Sequence, residues 1–285
     1  MTHSDEGLLP ETDEPRWSRL PDYAASLTAR HEAHGDTFRR MIADLTLGKS
    51  ADVLDVAIGD GFFTGLLAAR VVRGRVVGVD VDRAFLDLAD DAYVDRDRGR
   101  LLRADTYCLP FADETFDLVW CAHSLRSLPD AVAAVREWGR VLKPGGRLAV
   151  LESDRLHAVV LPWPPGVELS LYRGECADEA DKTREFGGLH AGRRLAKTVR
   201  AAGLQPVSQT TYATDMSQPL DAVDRAYVEL YLANLADRAK PHLSPAKWAT
   251  AAEWVTPEGE NYLPDSDDFA ATFLDVVAVA EKGPA

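Results

Sequence analysis

The stretch Val53-Leu54-Asp55-Val56-Ala57-Ile58-Gly59-Asp60-Gly61-Phe62-Phe63-Thr64 decides how this chain is read. An apolar run enters a turn with two glycines and leaves into a helical segment. α/β folds use that form to bring backbone close to a nucleotide-like ligand. Taken alone, the turn leaves the ligand open, since a tight turn also selects glycine for its backbone angles. The spacing bears on one rival directly. A dinucleotide fingerprint wants glycine three residues after Gly61, and that position is Thr64, with Gly65 one step out of place.

Outward from the turn, strand and helix alternate. Residues 51–57 read as a strand, 62–72 as a helix, 75–81 as a strand, 84–92 as a helix, and 101–105 and 116–122 as strands. Asp130 is placed to cap a helix running to Leu142. Lys143-Pro144-Gly145-Gly146 then turns the chain into a strand over 147–152. This rhythm implies a mainly parallel sheet with right-handed crossovers.

The flanks follow other patterns. Residues 1–16 read as an acidic flexible tail, and 17–50 as an N-terminal helical lid with Trp17, Leu20, Tyr23 and Leu27 on an apolar face. Within it, His31-Glu32-Ala33-His34 is one residue short of a zinc-protease spacing and reads as a solvated helix face. After Ser153, the proline-rich run 161–166 reads as a rigid loop. Helices are expected over 167–187, 192–202 and 220–239, the last with Val223, Tyr227, Leu230, Tyr231 and Leu235 on one face. Another helix should carry Trp248 and Trp254. Strands are expected over 206–211 and, pairing at the sheet edge, 273–280.

Composition narrows the partners. The 285 residues are 46% hydrophobic and carry a net charge of -14. That charge opposes sequence-independent nucleic-acid binding, which needs Lys and Arg on phosphates. No apolar run reaches membrane-spanning length, and the acidic start shows no secretory signal. Cys108, Cys121 and Cys176 have neither metal-ligand spacing nor an even count, which fits reduced thiols in a cytoplasm. The expected partner is a small molecule, with no nucleic acid, no membrane insertion and no metal, for a monomer or homodimer.

Four motifs occur in order: Leu54 to Gly61; Val77-Gly78-Val79-Asp80-Val81-Asp82; Ala104-Asp105-Thr106 with Leu109-Pro110-Phe111 and Phe116-Asp117-Leu118-Val119; and Val141 to Leu148 around Lys143-Pro144-Gly145-Gly146. Together they resemble the class I S-adenosylmethionine-dependent methyltransferases, in particular the ubiquinone and menaquinone biosynthesis branch. The resemblance covers about residues 51–153, the implied cofactor-binding core, with 154–285 left for acceptor-binding insertions and the last strands. It implies an α/β, Rossmann-like, doubly wound, mainly parallel seven-stranded sheet with N-terminal helices and a mostly helical C-terminal cap. It implies S-adenosylmethionine as cofactor and methyl transfer to an oxygen, nitrogen or activated carbon of a small acceptor, in specialised or quinone-like metabolism.

Carried onto this sequence, the resemblance assigns Asp55, Ala57, Gly59, Gly61, Asp80, Val81, Asp105, Thr106 and His123 to the cofactor. Gly59 and Gly61 let backbone pass close to it, and Asp80 can accept hydrogen bonds from both ribose hydroxyls. Val81 suits the adenine face, Asp105 the adenine amino group, and Asp55 the ammonium end. Asp82 reads instead as a helix N-cap. Ala57 stands where many relatives have glycine. Asp60 adds a negative charge that suits a sulfonium better than a phosphate.

His123 and His190 are the catalytic candidates, with His157 a further acid–base candidate. Tyr23, Trp163 and Tyr172, with Trp17 and Phe186, are candidate acceptor walls. Two alternatives stay open: a methyltransferase-like scaffold that steers a non-methylating rearrangement or cyclisation, and a nicotinamide-dependent oxidoreductase.

Overall fold

The computed structural model describes residues 20–92, 99–155, 157–181 and 191–284. The described residues open with two helices, α1 (Leu20–Ala33) and α2 (Gly35–Asp44). The alternating core follows as β1 (Asp52–Val56), α3 (Phe62–Arg70), β2 (Arg75–Asp80), α4 (Arg83–Ala92), β3 (Gly99–Arg103), β4 (Phe116–Ala122), α5 (Ala131–Val141) and β5 (Leu142–Ser153). The remainder is β6 (Val159–Leu161), α6 (Pro165–Asp181), α7 (Ala191–Ala201), β7 (Gln205–Ser217), α8 (Ala222–Ala239), α9 (Pro245–Val255) and β8 (Ala270–Glu281).

The strands form one sheet in the order β3-β2-β1-β4-β5-β8-β6, with β7 also paired to β8. Strands β1 to β5 are parallel, and β8 runs antiparallel to β5, β6 and β7. Strand order reverses direction between β1 and β4. In an open α/β sheet the crevice beyond the carboxyl ends of the strands at such a switch point is where ligands bind.

Period-two alternation sends side chains to two covered faces. Leu54, Val119, Cys121 and Val150 pack with Trp138, Leu195 and Val199 of α5 and α7. Val53, Leu118, Trp120 and Leu151 pack with Phe38, Met41, Phe63 and Leu67 of α2 and α3. A further core joins α6, α8 and α9 to the starts of β6 and β8 through Val160, Leu171, Leu232, Val255 and Phe269. Asp130 caps α5 as expected, accepting from Ala133 N–H.

Four expectations need correction. The sheet has eight strands, because β6 adds three residues before Pro162. β8 lies between β5 and β7 rather than at the edge, since Val276, Val277, Ala278 and Ala280 fill both faces. Lys143 to Gly146 form an irregularity within β5: the register passes from Phe116↔Leu142 to Leu118↔Arg147, and Gly145, at φ +73°, donates to Lys282 O. The buried face of α8 is Val228, Leu232, Leu235 and Ala239, and Val223 is exposed.

Candidate cofactor and acceptor site

The glycine turn sits at the β1 end of the switch point. Left-handed backbone recurs at Ala57 (φ +57°), Gly59 (φ +54°) and Gly61 (φ +80°). L-residues pay a steric penalty in this region, which glycine escapes. The two glycines nevertheless serve different ends. A Cβ on Gly61 would stand 2.8 Å from Ala89 Cβ on α4, so close helix packing demands glycine there. A Cβ on Gly59 would meet only Leu27 Cδ1 of α1, at 3.3 Å. Beneath the covering helix, the Gly59 backbone faces the ligand edge.

Four carboxylates surround the turn. Asp55, buried on β1, accepts from Thr64 Oγ1 at 2.6 Å, so α3 positions it. Burial pushes its pKa up to about 7 against that hydrogen bond, with Asp80 and Asp60 adding repulsion. Asp80, ending β2, accepts from Gly59 N–H at 3.2 Å and Asp82 N–H at 3.0 Å. Burial raises it to about 6 against the pull of those N–H groups. Asp82 accepts from Ala84 N–H at the start of α4, while its Oδ2 is buried without a partner. Asp60 takes Phe62 N–H on one oxygen and His31 Nδ1–H on the other, at 2.8 Å.

At the ends of β2 and β3 the remaining cofactor candidates differ in freedom. Val81 is 47% exposed beside Asp80. Asp105 caps its own turn through Tyr107 N–H. Thr106 Oγ1 accepts from Trp138 Nε1–H at 2.8 Å, which satisfies an otherwise orphaned indole in the core.

A second polar group lies across β4, β5 and β8, under α1. Arg30 Nη2 donates to Asp275 Oδ1 at 2.6 Å and to Ser153 Oγ at 2.7 Å. Ser153 Oγ stands 3.5 Å from His123 Nδ1, and His34 Nδ1 stands 3.4 Å from Asp275 Oδ2. Glu152 accepts from Arg126 N–H. His123, just past β4, holds φ +54°, a strained conformation of the kind found at functional sites.

Burial and the Arg30 cation hold the His123 imidazole well below its usual pKa. Burial alone would raise Asp275, but Arg30 and His34 keep it below the usual carboxylate range. Burial pushes Glu152 up to about 7 despite the opposing pull of Arg126.

His31 on α1 and His34 at the start of α2 correct the expectation of a solvated face: His31 is 7% and His34 1% exposed. His31 stacks on Phe62 at 4.4 Å and bonds Asp60, so α1 is fastened to the glycine turn. His34 stacks on Phe38 and meets Tyr227 of α8 edge-on.

Other candidates fall elsewhere. Trp163 packs in the core of the cap, and Tyr172 is 42% exposed on α6. His157 donates to Asp154, which also binds Arg193. Trp17, Phe186, His190 and the Tyr23 side chain lie outside the described residues. A surface groove of about 560 Å³ between α2, β7 and α8 shares no lining residue with either polar group. Among the described residues no His, Cys, Asp and Glu cluster could hold a metal, and no helix is long and apolar enough to cross a membrane.

Sequence reasoning missed Arg30, Glu152, Ser153 and Asp275. Two carried a readable signal. Glu152 and Asp275 are lone acids in apolar strands, Ala149-Val150-Leu151-Glu152 and Phe273-Leu274-Asp275-Val276-Val277, where an acid implies a buried partner.

Comparison with known proteins agrees with this geometry. Residues 54–150 match the family model described as a methyltransferase domain. The demethylmenaquinone methyltransferase of Lactiplantibacillus plantarum is 36% identical over 157 residues, covering 54% of this chain and 64% of that enzyme. Its Staphylococcus aureus counterpart is 34% identical over 125 residues, 44% of this chain and 52% of that enzyme. The matched stretch thus spans less than two thirds of either relative.

Among solved structures, a Bacillus halodurans protein assigned to the methyltransferases superposes with TM-score 0.57 at 18% identity, covering 87% of this chain and all of that one. The [4+2]-cyclase SpnF does so with TM-score 0.53 at 22% identity, covering 93% and 96%. These two likenesses speak for the fold. Over residues 54–150 this chain therefore matches a methyltransferase domain, and it is similar there to the demethylmenaquinone methyltransferases.

Proposed function

We propose that this protein is an enzyme that binds S-adenosylmethionine at the glycine turn and passes its methyl group to a small-molecule acceptor lodged under α1. One observation carries the reading. At the β1/β4 switch point, Asp80 ends β2 hydrogen-bonded to the N–H of Gly59, within a turn whose open face lies at the ligand edge.

The residues present fit this cofactor. Asp55, Asp60 and Asp80 make the turn acidic, which suits a ligand carrying an ammonium and a sulfonium and repels a pyrophosphate. The raised pKa values of Asp55 and Asp80 mark carboxylates that gain most from a nearby cation. In the proposed assignment Asp80 holds the ribose hydroxyls, Val81 packs on the adenine, and Asp105 with Thr106 meets the adenine amino group. The orphaned Oδ2 of Asp82 adds an acceptor on that side.

The cofactor supplies an activated methyl group, and in-line displacement asks the protein chiefly for alignment. Here α1 closes over the turn through His31, and the second polar group faces the β4 and β5 ends where an acceptor would meet the methyl group. The net charge of -14 supports a small molecule over nucleic acid. The relatives support a quinone-like or specialised metabolite, methylated on oxygen, nitrogen or an activated carbon.

Thermal stabilisation by S-adenosylhomocysteine tests the reading. The wild-type protein should be stabilised and Asp80→Ala should not. Methyl-labelled S-adenosylmethionine should then label a demethylmenaquinone or a phenolic acceptor. A wild-type protein indifferent to S-adenosylhomocysteine would remove the proposal.

A further inference from the structure

Buried polar groups in folded proteins nearly all find partners, and clustered exceptions call for a ligand. Among the described residues, nine buried side-chain polar atoms have none. Three of them, Arg30 Nε, His34 Nε2 and His123 Nε2, belong to the second polar group, in which His34 Nδ1 and Asp275 Oδ2 face each other at 3.4 Å. They come from α1, the junction between α1 and α2, and the end of β4.

The protons in this group can be followed. Ser153 Oγ accepts from Arg30 at 2.7 Å. Arg30 is itself anchored on Asp275 at 2.6 Å. The hydroxyl has one proton to give, and the acceptor among its described contacts is His123 Nδ1, at 3.5 Å. An Nδ1–H would point a second donor at the same oxygen and leave the hydroxyl proton without an acceptor. The arrangement therefore selects neutral imidazole with its proton on Nε2, an N–H that is buried and unpaired.

We propose that Arg30 and Ser153 lock His123 as its Nε2–H tautomer, and that this N–H positions the methyl acceptor by donating to one of its oxygens. The acceptor class is then a phenol- or enol-type molecule bound through an anionic oxygen, and His123 takes no proton from it.

The inference rests on the methyltransferase reading, because the acceptor must lie beside the cofactor. Both neighbouring carboxylates are engaged on one oxygen. Asp275 is answered by Arg30, and Glu152 accepts from Arg126 N–H. Phe38 and Phe63 flank the imidazole at 5.9 and 6.4 Å and offer it no polar partner. His31, the other nearby imidazole, is bonded to Asp60.

Nitrogen-15 NMR of the imidazole-labelled full-length protein reads the tautomer without any ligand. The expected result is a proton on Nε2 in the wild type, giving way to a tautomer mixture in Ser153→Ala. The acceptor role is read with 4-nitrophenol, whose anion is coloured, on protein saturated with S-adenosylhomocysteine. Binding of the anion should weaken about tenfold in His123→Ala and stay within about threefold in His123→Asn, which keeps a donor but cannot be a base.

A proton on Nδ1 in the wild type overturns the lock. Equal losses in the Ala and Asn variants, or no binding of 4-nitrophenolate by the wild type, overturn the acceptor role. Stabilisation by S-adenosylhomocysteine, measured on the same samples, separates these failures from failure of the cofactor reading. Its absence with the tautomer intact removes the cofactor site and the acceptor role with it.

Discussion

At the β1 and β2 ends of the sheet the polar groups, Asp82 Oδ2 aside, are answered from within about thirty positions of sequence. Asp55 is held by Thr64 nine residues on, and Asp80 by the N–H groups of Gly59 and Asp82. At the β4, β5 and β8 ends the partners come from opposite ends of the chain, with Arg30 reaching Asp275 across 245 positions. The first half is a compact acidic cradle, and in the proposed reading its acids face a cationic cofactor. In the second half, buried donors and acceptors still lack partners. The first half is a local, motif-encoded surface, and the second is assembled by tertiary packing.

The largest effect expected is on the assembled half. Arg30→Ala strands the buried Asp275 carboxylate and should cost about 3 kcal/mol of unfolding free energy in urea titrations. Replacing Arg30 by Met together with Asp275 by Leu should cost less than Arg30→Ala alone, because no unpaired charge is then buried. If the double variant is the less stable, the ion pair is not the organising element of this half.

On the cradle, Asp80→Ala should weaken S-adenosylhomocysteine binding about a hundredfold by calorimetry, as two hydrogen bonds to a charged acceptor are lost. His123→Ala should leave that affinity within about threefold, since it belongs to the other half. Comparable losses in both variants would dissolve the distinction between the halves.

A smaller effect follows pH. The folded-state pKa values of Asp55 and Asp80 are raised, to about 7 and about 6, from a reference of 3.8. Their contribution to stability is therefore complete below the unfolded-state pKa and is lost as pH rises through those folded-state values. A cationic ligand counters this loss. Stabilisation by S-adenosylmethionine should grow by about 1 kcal/mol from about pH 5 to about pH 8, a larger rise than for S-adenosylhomocysteine, which lacks the sulfonium. Melting curves across that range decide it, and a flat difference would show that these acids do not face the cation.

The smallest effect is at Ala57, whose φ of +57° is costly for any residue with a Cβ. Ala57→Gly should raise stability by about 0.5 kcal/mol, the steric relief partly offset by the greater freedom of glycine in the unfolded chain. Denaturant titration resolves a change of that size.

Much of the cradle was legible because its causes are local. Strand period, the glycine spacing, the Asp130 cap and an acid closing β2 each depend on a few consecutive residues. The same logic misread α1. His31 and His34 look solvated when only their own helix is considered, and their burial depends on Asp60, Phe62, Tyr227 and Asp275 arriving from elsewhere. β8 looked like an edge strand because nothing in its residues names β7 as a second neighbour. Lys143 to Gly146 looked like a plain turn because the strand pairing that continues through it is set by β4 and β8.

By itself, the sequence determined the alternating α/β core and the acidic glycine turn. These follow from backbone sterics and charge within short windows. Only the tertiary structure decided which side chains meet beyond the cradle: the fastening of α1 by His31, the Arg30–Asp275 pair, and the contact between Ser153 and His123. Burying a polar group is tolerable only when its partner is in place, and here the partners are brought together by the fold rather than by sequence proximity.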